Sequence, residues 1–360
     1  MFQILPNINV DWMGWRKPLV AISIVILLAG LISAIGRQLS PGGTDAFNLG
    51  VDFKGGTVVT AKFRQKPAAD DIRAALEDVG IVEAVIQEST DKTDEVLIKV
   101  PNLGERPECK DESGKLLPEA GRCLVKKALD TKVGKEAEGS TQLNQDETAA
   151  YKIVGTDAVG PVAGAQLRNQ AVIATLLGMV GILLFIAFRY DWTYAAGAVI
   201  AVFHDVLVTL AFFTVFQWEI SLTVLAALLT LVGFSVNDSI VIFDRIRENM
   251  GLHRNKPIYE LTNDSINQTM SRTVVTNGLV FLSVLALVLF GGEVLRGFSL
   301  ALFVGSITGT YSTIAIASPI AIWWQSKLGM ASVKEAMVQP KGEKMASAAR
   351  RSVTRRPVTR

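Results

Sequence analysis

Two kinds of hydrophobic pattern alternate along the chain. In six stretches nearly every position is apolar and no amphipathic period survives: Pro18 to Ile35, Val172 to Phe188, Tyr194 to Phe216, Leu222 to Phe243, Val274 to Phe290 and Phe298 to Trp324. Each has about the length that crosses a hydrocarbon core, so the pattern predicts six transmembrane helices. Between the first and second stretch, amphipathic periods return. Thr57 to Phe63 follows the Gly55-Gly56 turn as a strand, and Val82 to Gln87 and Val96 to Val100 alternate as two more. Asp70 to Val79 carries Ile72, Ala75, Leu76 and Val79 at helical spacing, and Gly80 ends it. A second helix is expected near Arg122 to Leu129, and a last short strand at Tyr151 to Val154. The order β-α-β-β-(α)-β predicts a ferredoxin-like α+β domain inserted after the first span. Residues 102–148, rich in Gly, Pro, Lys and Glu, read as a loop inserted into that domain.

Composition agrees with a polytopic membrane protein: 49% of the 360 residues are hydrophobic, and the mean hydropathy is +0.34. The net charge of +2 says little, but the placement of charge says more. Arg16-Lys17, Arg189, the loop from Arg245 to Arg272 and the tail from Lys327 fall on one side of a six-span topology. The opposite connections, Gln217 to Glu219 and Gly291 to Gly297, carry only Arg296. By the positive-inside rule both termini are cytoplasmic and the α+β domain lies outside. Trp192, Trp218, Trp323 and Trp324 fall at span ends, as interfacial anchors do. Arg16-Lys17 ahead of the first run also suits a signal peptide. That run is longer than a usual signal core and ends at Arg37 without a clear small-x-small site, so it is read as a retained span. The expected units are 1–36 (N-terminus and first span), 37–160 (outer domain), 161–326 (spans two to six) and 327–360 (basic tail). The tail's Arg350, Arg351, Arg355, Arg356 and Arg360 suit anionic lipid better than RNA. Cys109 and Cys123 share the hydrophilic segment, and whether they are bridged or free stays open.

The candidate chemistry lies where polar residues interrupt the apolar runs. Asn237 and Asp238 sit inside the fourth span, and a carboxylate at a helix centre costs about 2.5–3.5 kcal/mol on insertion scales. Helical period puts Ser235, Asp238, Ser239 and Ile242 on one face, which must turn into the bundle. In the fifth segment Gln268, Arg272 and Thr276 form one stripe, and Thr269, Thr273 and Asn277 form the next. Arg272 is the expected partner of Asp238. Burial and a neighbouring cation pull a carboxylic acid's proton affinity in opposite directions, so a change in their separation would load or release a proton. A static ion pair locking two helices is the alternative. His204-Asp205, mid-way through the third span, is a candidate relay, although adjacent residues diverge by about 100° and need not touch. Gly305 and Gly309 form a GxxxG pattern that permits close helix packing. Walker A, Rossmann, CxxC, HExxH and GxSxG patterns are missing, and two histidines make a zinc site a poor prospect. No cofactor, metal or catalytic residue is therefore expected, and the chain reads as something other than an enzyme. An intramembrane aspartyl protease would need two acids sharing a proton, and the GxGD context is missing at Asp238. A small-solute exporter would have to pair with itself.

Five motifs, in order, resemble the SecF branch of the SecD/SecF family: GVDFKGGT (Gly50 to Thr57), VGPVAG (Val159 to Gly164), VNDSIVIFDRIREN (Val236 to Asn249), INQTMSRTVVTN (Ile266 to Asn277) and GTYSTIAIASPI (Gly309 to Ile320). The resemblance, and that of the family to the resistance–nodulation–division transporters, implies six spans with a large loop after the first. It implies a multi-pass protein of the bacterial inner membrane, working with SecD, the SecYEG channel and YajC, with no nucleic acid involved. Such a protein would use the proton-motive force to complete preprotein export on the periplasmic side. It assigns the proton path to Asp238, Arg272 and Thr276, with Asn237 beside them; His204 and Asp205 carry over less securely. Whether the ion is a proton or sodium stays open at this point.

Overall fold

The computed structural model describes residues 8–40, 45–81, 84–89, 92–101, 120–137, 143, 146, 148–189, 192–253 and 255–327. Cys109, most of the inserted loop and the arginine-rich tail lie outside the described residues. Among the described residues, six helices are long and apolar enough to cross a membrane. They are α1 (Trp12–Leu39), α5 (Pro161–Arg189), α6 (Trp192–Phe216), α7 (Leu222–Leu252), α8 (Ile258–Phe290) and a sixth span assembled from two helices. Helices suit these sequences because every backbone group inside the span is satisfied within its own segment. Polar side chains close the ends of α1. Asp11 Oδ1 accepts from the Gly14 amide at 3.0 Å, and the Ser40 hydroxyl donates to the Gly36 carbonyl at 2.7 Å.

α7 and α8 outrun their apolar stretches. Hydropathy ends near Phe243 and begins again near Val274, but both helices continue as a polar pair. There Asn249 Nδ2 donates to Ser265 Oγ at 2.8 Å and Arg245 Nε to Gln268 Oε1 at 2.6 Å. The sixth span consists of α9 (Gly292–Ser312), a π turn (Thr313–Ala317) and α10 (Ser318–Lys327). Pro319 offers no amide hydrogen and its ring crowds the carbonyl four residues back, so the wider turn relieves the ladder there. The Ser318 hydroxyl returns a bond to the Thr313 carbonyl at 2.9 Å.

Between α1 and α5 lies the α+β domain. A one-turn helix α2 (Val51–Lys54) precedes β1 (Gly56–Phe63), α3 (Ala69–Asp78), β2 (Val85–Glu88), β3 (Glu95–Pro101), α4 (Ala120–Lys132) and β4 (Tyr151–Val159). The sheet runs β2-β3-β1-β4, antiparallel throughout, which is the expected ferredoxin-like arrangement. Alternation drives it: Val59, Ala61 and Phe63 of β1 and Ile98 and Val100 of β3 are buried with Ile72 and Leu76 of α3 and Leu124, Val125 and Leu129 of α4. Pro101 ends β3 from inside the strand. β4 runs on past Val154, with its register shifting against Thr60 and Ala61. Cys123 on α4 is disulfide-bonded. Gly55 (φ 77°) and Gly56 (φ 147°) both hold backbone that disfavours any side chain, and a Cβ on Gly56 would lie 2.5 Å from the Val100 carbonyl oxygen.

The segment before these glycines fastens the domain to the bundle. Leu49 forms a parallel bridge to Ile220 in the α6–α7 connection. The Gly50 amide donates to the Ile220 carbonyl, and the Ile220 amide to the Asn48 carbonyl, both at 2.8 Å. Asp52 Oδ2 accepts from the Leu222 amide at 2.9 Å, so a residue of the α+β domain caps α7. Lys99 of β3 pairs with Glu219. Phe53 packs with Phe213, Ile220 and Val224.

Candidate functional site

Ser235, Asp238, Ser239 and Ile242 of α7 are all buried, as the helical period requires. Asp238 is 4% exposed. Its Oδ1 accepts from the Thr273 hydroxyl at 3.1 Å and its Oδ2 from Asn277 Nδ2 at 3.4 Å. Asn277 donates its second hydrogen to Thr310 Oγ1 at 2.9 Å, which ties α8 to α9. Ser239 and Thr313 share a hydroxyl contact at 3.2 Å.

Of the two polar stripes on α8, the neutral one therefore faces α7. The direct Asp238–Arg272 ion pair is not formed. Arg272 is exposed and acts on Asp238 only through space, and Thr276 is exposed with its hydroxyl bonded to the Arg272 carbonyl at 2.9 Å. The reason is helical phase: with Thr273 turned to the carboxylate, Arg272 points about 100° away. Asn237, next to Asp238, is exposed for the same reason. One step back from each contact on two antiparallel helices leads to the same side of the pair. Asn237, Arg272 and Thr276 thus emerge together on an outer face of the α7–α8 hairpin.

His204 and Asp205 do touch. Asp205 is fully buried, and its Oδ1 lies 3.0 Å from His204 Nδ1. Its Oδ2 accepts from the hydroxyls of Ser235 at 2.7 Å and Ser312 at 2.8 Å. Gly309 makes room for this: a Cβ there would sit 3.4 Å from that of Ser235 and 3.7 Å from Asp205 Oδ2. Gly305, one turn earlier, faces Leu231. The GxxxG pattern thus lets α9 approach α7 and α6 around a carboxylate. The His204 ring stands edge-on to Tyr311, centroids 6.0 Å apart, and the Tyr311 hydroxyl lies 2.9 Å from Ser23 Oγ of α1. The two buried acids do not share a proton; each is held by its own donors, which removes the geometry of an aspartyl dyad.

The sequence reading passed over Thr310, Ser312 and Thr313, and treated Thr273 and Asn277 only as a neighbouring stripe. Thr and Ser recurring through GSITGTYST (Gly305 to Thr313) in an apolar span was the available signal. Among the described residues no group of three His, Cys, Asp or Glu could hold a metal ion.

These features define a class, a multi-pass membrane protein with separately solvated carboxylates inside its helical bundle and an α+β domain on one end. The family model described as "Protein export membrane protein SecD/SecF, C-terminal" matches residues 140–327, and the "SecD/SecF GG Motif" model matches residues 43–67. The chain is 38% identical to the protein translocase subunit SecF of Koribacter versatilis, over 91% of this chain and 94% of that one. It is 36% identical to SecF of Escherichia coli O157:H7, over 93% and 92%. The crystal structure of SecDF from Thermus thermophilus, titled a translocon-associated membrane protein, superposes with a TM-score of 0.70 at 35% identity. That match covers 91% of this chain and 40% of the SecDF chain. The chain belongs to the SecD/SecF family, and the relatives it matches along nearly their whole length are SecF subunits, named as translocase subunits rather than as enzymes.

Proposed function

We propose that the protein is the SecF-type subunit of a Sec accessory complex, using the proton-motive force to promote preprotein export across the bacterial inner membrane. In this reading the basic loops and both termini are cytoplasmic, and the α+β domain is periplasmic, where it meets emerging preprotein. Partners are SecD, the SecYEG channel and YajC. One observation carries the proton-coupled reading: Asp238 sits buried against two neutral donors while Arg272 waits on the adjacent stripe of the same helix.

α8 offers Asp238 two surfaces. The Thr273/Asn277 stripe solvates a carboxyl group without countercharge; the Arg272/Thr276 stripe would bring a cation. A partial turn of α8 about its axis exchanges one for the other and changes which protonation state is favoured. Moving one charge through 100 mV releases about 2.3 kcal/mol, on the scale of the cost of a charge inside the membrane, so proton passage is able to drive such a turn. The outward face of Asn237, Arg272 and Thr276 supports a helical partner, since a cation and an amide facing hydrocarbon are costly. The SecDF chain of Thermus thermophilus extends well beyond the 40% matched here, which supports SecD as that partner.

Asp238→Asn is expected to abolish gradient-stimulated export in inverted membrane vesicles while the complex still assembles. Undiminished gradient dependence in an assembled complex overturns the proposal.

A further inference from the structure

We propose that Nε2 of His204 is a second proton-binding atom of the bundle, with Asp205 as the positioning residue that leaves it free. The inference extends the proton reading above but stands on separate geometry. Asp205 is an acceptor already bonded to two serine hydroxyls through Oδ2, and its Oδ1 faces His204 Nδ1 at 3.0 Å. A carboxylate in that position takes a hydrogen from Nδ1, which fixes the tautomer and leaves the lone pair on Nε2. Nε2 is buried and has no hydrogen-bond partner among the described residues. An orphaned buried nitrogen is costly, so an arrangement that aims one into the bundle calls for an occupant. A proton arriving at Nε2 converts the pair into imidazolium and carboxylate, so charge is balanced within the pair.

The surroundings isolate that event. α1, α5, α7, α9, the π turn and α10 pack around α6. Among the described residues, Tyr311 stands beside the ring, and its hydroxyl is engaged with Ser23. α7 contributes Ser235 and α9 Ser312, both to Asp205. The charged residues of α1, α5, α9 and α10 lie toward helix ends, as do Asp244, Arg245, Arg247 and Glu248 of α7, and Asp238 of α7 turns to α8. The second site is nonetheless linked to the first. Ser235 and Asp238 are one helical turn apart on α7, and Ser312 and Thr310, which hold Asp205 and Asn277, are two residues apart on α9. Any shift of α7 or α9 that alters one carboxylate's donors alters the other's.

The chain contains two histidines, and His253 is an exposed residue just beyond α7. A full-length His253→Gln variant, labelled with imidazole nitrogen-15 and reconstituted in lipid bilayers, therefore gives a nitrogen NMR spectrum of His204 alone. The expected spectrum at about pH 9 shows a protonated Nδ1 and a bare Nε2, with both nitrogens protonated reversibly on going to about pH 5. Asp205→Asn on the same background is expected to lose the Nδ1–H preference. A ring that stays neutral across that range, stays doubly protonated across it, or carries its proton on Nε2 at pH 9 overturns the proposal. Should His253→Gln fail to fold, the unsubstituted chain gives the same reading, with the exposed His253 as the second, separable signal. Because the spectrum does not depend on export, a failure here and a failure of Asp238 to couple export are told apart.

Discussion

Asp238 and Tyr151 solve the same problem in different surroundings: a buried polar group must find partners or stay neutral. Asp238 finds an amide and a hydroxyl. Tyr151, packed against Phe63 at 5.9 Å in the α+β domain's core, donates its hydroxyl to Asp130 Oδ1 at 2.8 Å. Burial, and then Asp130 beside it, push that hydroxyl's pKa up. The neutral phenol is thus the stabilising form; its contribution is complete below the unfolded pKa of about 10 and is lost as pH rises beyond it. Tyr151→Phe is expected to cost about 1 kcal/mol at neutral pH. Denaturant titrations of the two proteins should draw together above about pH 10, whereas a constant difference into strong alkali would show that the hydroxyl bond is not the cause.

At the scale of the element, the phase of a helix and the path of a connection matter more than their existence. The apolar runs of six spans and the alternation in β1 and β3 were legible in the sequence because burial writes itself into hydrophobic period. Which polar stripe of α8 meets α7 was not legible: Thr273/Asn277 and Arg272/Thr276 differ by one residue, and charge alone favoured the arginine. The contact of His204 with Asp205 depends on side-chain rotamers and on two serines from other helices. The polar ends of α7 and α8 escaped a hydropathy reading because their mutual packing, through Asn249, Ser265 and Gln268, replaces lipid. The connection between α6 and α7 holds the α+β domain through backbone bonds to Asn48 and Gly50, through Asp52 and through Glu219 with Lys99. Backbone pairing of this kind leaves no sequence pattern. Glu219→Gln is expected to speed amide exchange at Ile220 and Leu222 while β1 and β3 keep their protection. Unchanged exchange at those two amides would show that the ion pair does not hold the clamp.

For the whole molecule, the arrangement places a buried acid on the same helix, α7, whose N-terminal end is held by the 48–52 segment of the α+β domain. α7 carries Ser235 and Asp238 on its buried face, and Asp52 of the α+β domain caps its N-terminus. In the proposed function, this contact is the route by which a movement of α7 would reach the sheet. The proposed function uses the outward face bearing Asn237, Arg272 and Thr276 as a surface for a partner and therefore puts proton coupling in the complex. The most direct measurement is proton entry into liposomes holding the complex with SecD, followed by a pH-sensitive dye in the lumen under an imposed potential. The account predicts potential-driven acidification by the parent complex and its loss with Asp238→Asn at equal incorporation. Equal proton entry with Asp238→Asn would contradict it.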